Sequence, residues 1–294
     1  MMMDTSLEAR VYQSGSISKN NFYDMCGVLL QFPNNNPPWS IFNLSDDGSN
    51  GAVVPINGTR LAEGQYVVLS SVGGTIDVTL TGRNHKRRVI SGSDSSYSPS
   101  SIQGYFRDQL RQRDGTCAMT GKIGEAGTFQ DLHAAHIFPR AREPEWNASG
   151  YSNWITDSSP PNRIGDNKLD SPQNGLLLFS GVHSLLDTYA LADNYKIIAF
   201  RNVIDNPVFP FLQTHLGNRT TNAANNQSVS DQAVRWHFEE AVIANMKGAA
   251  GVQPWEFDFG GPDDVGGIME GPDPGERMEA ELFTRLGAGD EGVT

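Results

Sequence analysis

The chain has 294 residues, 38% of them hydrophobic and five of them tryptophan, which is enough apolar material for one large or two smaller folded units. It has no apolar run near the roughly 20 residues of a membrane span and no secretory pattern in its first residues, MMMDTSLEAR. Its two cysteines, Cys26 and Cys117, form no CxxC pair and suggest no disulfide framework. The net charge of −12 argues, taken whole, against a nucleic-acid partner. An intracellular setting, cytoplasmic or nuclear, is expected.

Residues 1–90 read as a β-rich N-terminal module. Segments 25–31, 40–44, 65–70 and 75–80 are rich in Val, Ile and Phe and bounded by Pro, Asn and Gly, which predicts strands. Gly73-Gly74 between the last two predicts a hairpin turn. The polar run SGSDSSYSPS at 91–100 reads as a linker. A helix follows, capped by Ser100 or Ser101. Ile102, Tyr105, Phe106 and Leu110 recur at helical spacing, Arg107, Arg111 and Arg113 form its other face, and Asp114-Gly115 ends it.

Residues 128–138 are expected to form a strand and 139–173 an irregular, proline-bearing loop. A short apolar strand over 175–179 and a short helix over 182–189 come next, then a strand or hairpin over 191–200. The Asn/Ser/Thr-rich run 218–230 is expected to be exposed. Ser228 with Asp231 three residues on suggests a capping box. The helix it opens runs to about Lys247, with Val234, Phe238, Ala241, Val242 and Asn245 on one side. The Gly/Pro-rich remainder contains one helical stretch at 275–286. The phenylalanine and tryptophan of the FP and PPW clusters, Phe32 and Trp39, suit core or turn rather than base stacking.

Charge is unevenly spread. Residues 249–294 hold 11 acidic and 2 basic side chains, so the first 248 residues carry only −3. Residues 83–142 hold 10 basic and 5 acidic side chains, a local excess of +5. The objection to an anionic partner therefore weakens where the chemistry-bearing residues begin.

Those residues lie in three pieces, LHAAHIFP (132–139), SPQNGLLLF (171–179) and SGVHSLLD (180–187). The spacing permits a strand carrying His136, a loop Asn174, a second strand, and a helix returning His183 and Asp187. These last two are four apart, on one helix face, where they can share a cation. Each residue also has a plain structural reading. His136 and His183 suit hydrogen-bonded core histidines, Asn174 before Gly175 suits a turn, and Asp187 suits a helix end. His85, His215 and His237 show no partner pattern, and Cys117 suits a small buried side chain.

Together with the lead-in RDGTCAMTG (113–121), these pieces resemble the HNH (ββα-metal, His-Me finger) nuclease domain, and most of all the subgroup found in fungal proteins. The later WHFEEAVIANMKGAAG and PDPGERMEAELFTRL resemble segments that follow that domain in the same subgroup. The resemblance covers about residues 100–290. It implies an α+β fold: a β-rich N-terminal module (1–90), the linker (91–100), an HNH ββα-metal domain with C-terminal helices (101–250), and an acidic extension (251–294).

It also implies roles. His136 would be the general base acting on the attacking water, a task suited to an imidazole that titrates near neutrality. His183 would hold one divalent ion (Mg, Mn, Ni or Zn) at the scissile phosphate of DNA. Asp187 stands where many relatives carry a second helix ligand, and Asn174 would fix the loop behind the His136 strand. The sequence departs from the pattern at Ala135, where most HNH sites place a metal-binding Asp or His. His133 shares the side-chain direction of Ala135 and is the candidate substitute. Otherwise the metal is held by His183, Asp187 and water alone and binds weakly, or His136 itself has become a ligand and cleavage is lost. The implied function is a metal-dependent DNA endonuclease. The alternatives are a binding protein that keeps the ββα scaffold without its chemistry, and a metal enzyme with a non-nucleic substrate.

Overall fold

Ser18 opens the first helix by accepting a hydrogen bond from the Asn21 amide, while the Asn21 side chain reaches back to the Ser18 backbone, a reciprocal capping box. The computed structural model describes residues 11, 15–33, 38–85, 102–124, 127–193, 196–200, 209–221 and 227–247. The linker at 91–100, the caps at Ser100 and Ser101, the helical stretch at 275–286 and the acidic extension lie outside them. The elements in chain order are α1 (Lys19–Leu29), β1 (Leu30–Gln31), β2 (Trp39–Leu44), β3 (Asn50–Val53), β4 (Gln65–Ser70), β5 (Thr79–Leu80), α2 (Ile102–Asp114) and β6 (Leu132–His136). After these come α3 (Glu143–Ala148), α4 (Pro161–Ile164), β7 (Gly175–Phe179), α5 (Ser180–Asp187), β8 (Leu191–Asp193), β9 (Ile197–Ala199), α6 (Asn218–Thr221) and α7 (Asp231–Met246). The architecture is mixed α+β with small antiparallel sheets.

Several expectations change. The strand expected over 25–31 is the second half of α1 followed by the two-residue β1. Phe22, Met25, Cys26 and Leu29 are buried at helical spacing, and a reading that starts at Met25 cuts that period in half. β4 does not form a hairpin with the segment after it. Gly73 and Gly74 do turn the chain, but β4 pairs with β2, while β5 pairs with β1. Only Thr79–Leu80 of the expected 75–80 strand is extended and paired. The 139–173 loop contains the short helices α3 and α4, each with proline in its first turn. The cap of α7 is Ser230, whose side chain accepts from the Ala233 amide, rather than Ser228. Within the expected 191–200 segment, β8 and β9 pair antiparallel, Leu191 opposite Ala199 and Asp193 opposite Ile197.

Beside a smaller cluster of Phe138, Trp146, Ile155, Leu169 and Trp236, two larger apolar cores hold these elements. One gathers α2, β6, β7 and α5 around Phe106, Leu110, Met119, Leu177, Val182 and Leu186. The other brings Ile17, Met25, Leu29 and Ile41 from the N-terminal part against Ile198, Phe238 and Val242. Helix α7 is buried on nearly every side, so no polar face separates the N-terminal elements from the rest. Both cysteines are buried free thiols, and burial pushes the Cys26 thiol up to about 12.

Arg113 is a further correction. It does not join Arg107 and Arg111 on an exposed face of α2 but lies buried, forking the Asp114 carboxylate (2.7 and 2.9 Å) and donating to the carbonyls of Pro172 and Gly175 (both 2.7 Å). Asp114 in turn accepts from the Leu177 amide (2.9 Å) and the Thr220 hydroxyl (2.8 Å). This charge-assisted network fixes the end of α2 to β7.

Candidate active site

β6 and β7 form a two-stranded antiparallel sheet in which His136 stands opposite Gly175 and His133 opposite Leu178. Side chains alternate along a strand, so residues 133 and 136 project to opposite faces. His133 turns towards α5 and His136 towards α2. Gly175 is what lets α2 approach. A Cβ there would collide with the Phe106 ring and come within 2.9 Å of Leu110. The Phe106 ring lies instead against the imidazole of His136, stacked at 4.0 Å between centroids and 11° between planes.

The second contact of His136 was not foreseen. Its Nε2 is 3.0 Å from Asp170 Oδ1, and Arg140 Nε approaches the same oxygen at 3.3 Å. Burial opposes ionisation of Asp170, but the hydrogen bond and charge of His136, with the charge of Arg140, outweigh it and hold its carboxyl below the ordinary value. An ionised carboxylate only accepts, so His136 donates through Nε2, and the neutral ring carries its basic lone pair on Nδ1.

Asn174 explains why Asp170 is there. Its Oδ1 accepts from the Phe138 amide (2.8 Å), and its Nδ2 donates to the carbonyls of Phe138 (3.1 Å) and Leu169 (3.0 Å). The completely buried amide thus ties the chain just after His136 to the residue just before Asp170. The turn suggested by Asn-Gly is also present, as a single 3-10 turn over Pro172–Asn174. Nothing in the sequence singled out Asp170. It lies 34 residues from its partner, and only the Asn174 bridge signals the connection.

On the other face, His133 Nδ1 lies 3.3 Å from His183 Nδ1, with the rings perpendicular. His183 Nε2 faces Asp187 Oδ2 at 3.2 Å. The three predicted metal residues are therefore together, but Asp187 lies on the far side of the His183 ring from His133. Among the described residues no group of three His, Cys, Asp or Glu is placed to hold a metal ion. The donor pair does fit a cation. Two imidazole nitrogens 3.3 Å apart are spaced like neighbouring ligands on one ion with bonds of about 2.1 Å. A carboxylate behind a ligating imidazole fixes its tautomer and orientation.

The remaining histidines have other partners. His237 Nε2 meets the Leu186 carbonyl at 3.1 Å, His215 meets Thr214, and His85 packs edge-on to Tyr189.

Residues 117–192 match the family model described as HNH endonuclease. The HNH segment covers about a quarter of the chain and contains His133, His136, Asp170, Asn174, His183 and Asp187. It begins at Cys117, so α2, whose Phe106 carries the His136 ring, lies ahead of it. It ends inside β8. No curated protein matches the chain. No helix among the described residues is long and apolar enough to cross a membrane.

Proposed function

We propose that the protein is a metal-dependent endonuclease that hydrolyses phosphodiester bonds in DNA at the open edge of β6, and that it belongs with the fungal HNH subgroup its flanking motifs resemble. The observation that carries this reading is the Asp170–His136 pair, a buried carboxylate orienting an imidazole at the end of β6 inside the HNH segment. β6 has one strand neighbour, β7, among the described residues, so a phosphate laid along its other edge is approached by His136 from the α2 side and by His133 and His183 from the α5 side.

His136 takes the proton of the attacking water at Nδ1. Asp170 holds the ring in the tautomer with Nε2–H and stabilises the imidazolium that results. Phe106 keeps the ring plane fixed. Asn174 holds the two chain segments that carry this pair. His133 and His183 would bind the divalent ion through their Nδ1 atoms, with Asp187 behind His183 as its orienting partner rather than a ligand. Such an ion supplies positive charge to the phosphate and the leaving oxygen. Arg140 adds fixed positive charge beside Asp170.

The test is nicking of supercoiled plasmid in Mg²⁺, Mn²⁺, Ni²⁺ or Zn²⁺, together with metal binding by calorimetry. His136→Ala should leave metal affinity largely intact and lower cleavage by about 10²-fold or more. His133→Ala and His183→Ala should each weaken metal binding. Equal loss of metal in all three variants would make His136 a ligand and overturn the assignment. Ala135, which offers no donor where the resemblance expects a metal-binding Asp or His, favours one second reading, a nucleic-acid-binding protein without cleavage. It predicts intact DNA affinity with no nicking under any metal.

A further inference from the structure

Both phenyl rings that stand exposed among the described residues carry a cation. Phe129 is 37% exposed with the Arg111 guanidinium 4.9 Å from its centroid, and Phe211 is 48% exposed with Lys122 Nζ at 3.3 Å. The two pairs adjoin. Gly124 packs so closely on the carbonyls of Thr128 and Gln130 that a Cβ there would strike both, which places the Lys122–Gly124 segment beside the residues flanking Phe129. Ile123, next to Lys122 in the chain, is 62% exposed.

Arg111 is poorly accommodated by its own fold. Its Nε is buried with no hydrogen-bond partner, and no carboxylate among the described residues forms an ion pair with it. Asp108 is taken by Arg107, which stands one helical turn away as a like charge. Burial and that neighbouring charge lower the pKa of Arg111 against the weaker pull of Asp108. An anion laid on α2 at this point would relieve both. Cations over exposed aromatic rings combine the two contacts that an unpaired nucleic-acid strand offers, phosphates for the charges and base faces for the rings.

We propose that the Arg111–Phe129 and Lys122–Phe211 pairs form the surface that grips an unpaired strand on its way to His136. The inference rests on the nuclease reading of the site and specifies its substrate as a strand that is locally single. β6 starts three residues after Phe129 and reaches His136 over about 13 Å, a few nucleotides' length. The surface therefore lies beside the site.

The experiment measures binding of the full chain to a short labelled DNA strand, an RNA strand and a DNA duplex in EDTA, by fluorescence anisotropy across a salt series. Wild type should bind the single strands more tightly than the duplex. Phe129→Ala and Phe211→Ala should each weaken strand binding by about 10-fold. Arg111→Gln and Lys122→Gln should each reduce the salt slope by roughly 0.7. All four positions are at the surface or partly so, and matched thermal melts check that the variants fold. Preference for duplex, or four variants that bind as wild type, overturns the proposal whether or not the plasmid is nicked. Strand binding as expected with no nicking overturns the nuclease reading and leaves the surface standing. Comparison of the DNA and RNA arms identifies which strand the surface accepts.

Discussion

Asp170 gives up most of its hydration and recovers it from two donors, the Nε2–H of His136 and the guanidinium of Arg140. Its carboxyl therefore titrates below an ordinary aspartate, and the sign of its linkage follows. The stabilisation is complete above the unfolded value of about 4 and is lost as pH falls through the lower folded value. Thermal melts of wild type and Asp170→Asn should differ most near neutrality and converge in strong acid. A difference that persists unchanged at low pH would mean that the effect is steric. The same variant should cut nicking by about 10- to 100-fold while leaving metal affinity alone, since it removes the partner that fixes the His136 tautomer.

Asn174 makes a sharper case, because its amide uses donor and acceptor at once. Asn174→Ala strands three backbone groups in the interior and should cost about 3 kcal/mol in chemical denaturation. Asn174→Asp should be at least as damaging. A carboxylate still accepts from Phe138 but faces two carbonyls it cannot satisfy.

At the scale of elements, the placement of α2 against β7 depends on the missing side chain at Gly175. Gly175→Ala drives a methyl group into Phe106 and Leu110 and should cost about 1–3 kcal/mol by overpacking. The displaced Phe106 would also lose its stack with His136. A loss of activity larger than the fraction unfolded at assay temperature is the expected signature.

What the sequence made legible at this scale follows its periodicities. β2, β4, β6, β7, α2, α5 and α7 all carry a clear apolar repeat within one element, and the family resemblance named His133, His136, Asn174, His183 and Asp187 as site candidates. α1 was obscured because its hydrophobic composition resembles a strand and its capping signal, Ser18 to Asn21, precedes the apolar run. Asp170 and the interior position of Arg113 were obscured for a different reason. Each depends on a group distant in the chain, His136 at 34 residues from Asp170 and the Gly175 carbonyl at 62 from Arg113, and no local pattern records such pairing.

For the molecule as a whole, the second core joins residues at both ends of the described chain. Met25 and Leu29 of α1 and Ile41 of β2 share it with Phe238 and Val242 of α7. Arg83 adds ion pairs to Glu239 and Glu240, at 2.9 and 3.0 Å. A fragment starting at residue 101 would expose that face of α7 and should be insoluble or markedly less stable than the full chain. In the full chain Phe238→Ala should cost about 3–5 kcal/mol. Probes in the N-terminal sheet and at Trp146 should then melt in one transition. Two separate transitions would show that the N-terminal elements fold as an independent unit.

The whole chain has only two thiols, and the fold encloses both. Thiolate is the species that reacts with maleimides, and Cys26 is held far from forming it at neutral pH. A cysteine introduced at an exposed position such as Asn153 would therefore take a dye alone, with both native residues left in place. Distances from that label to a tagged oligonucleotide would report the path of a bound strand across the protein during turnover.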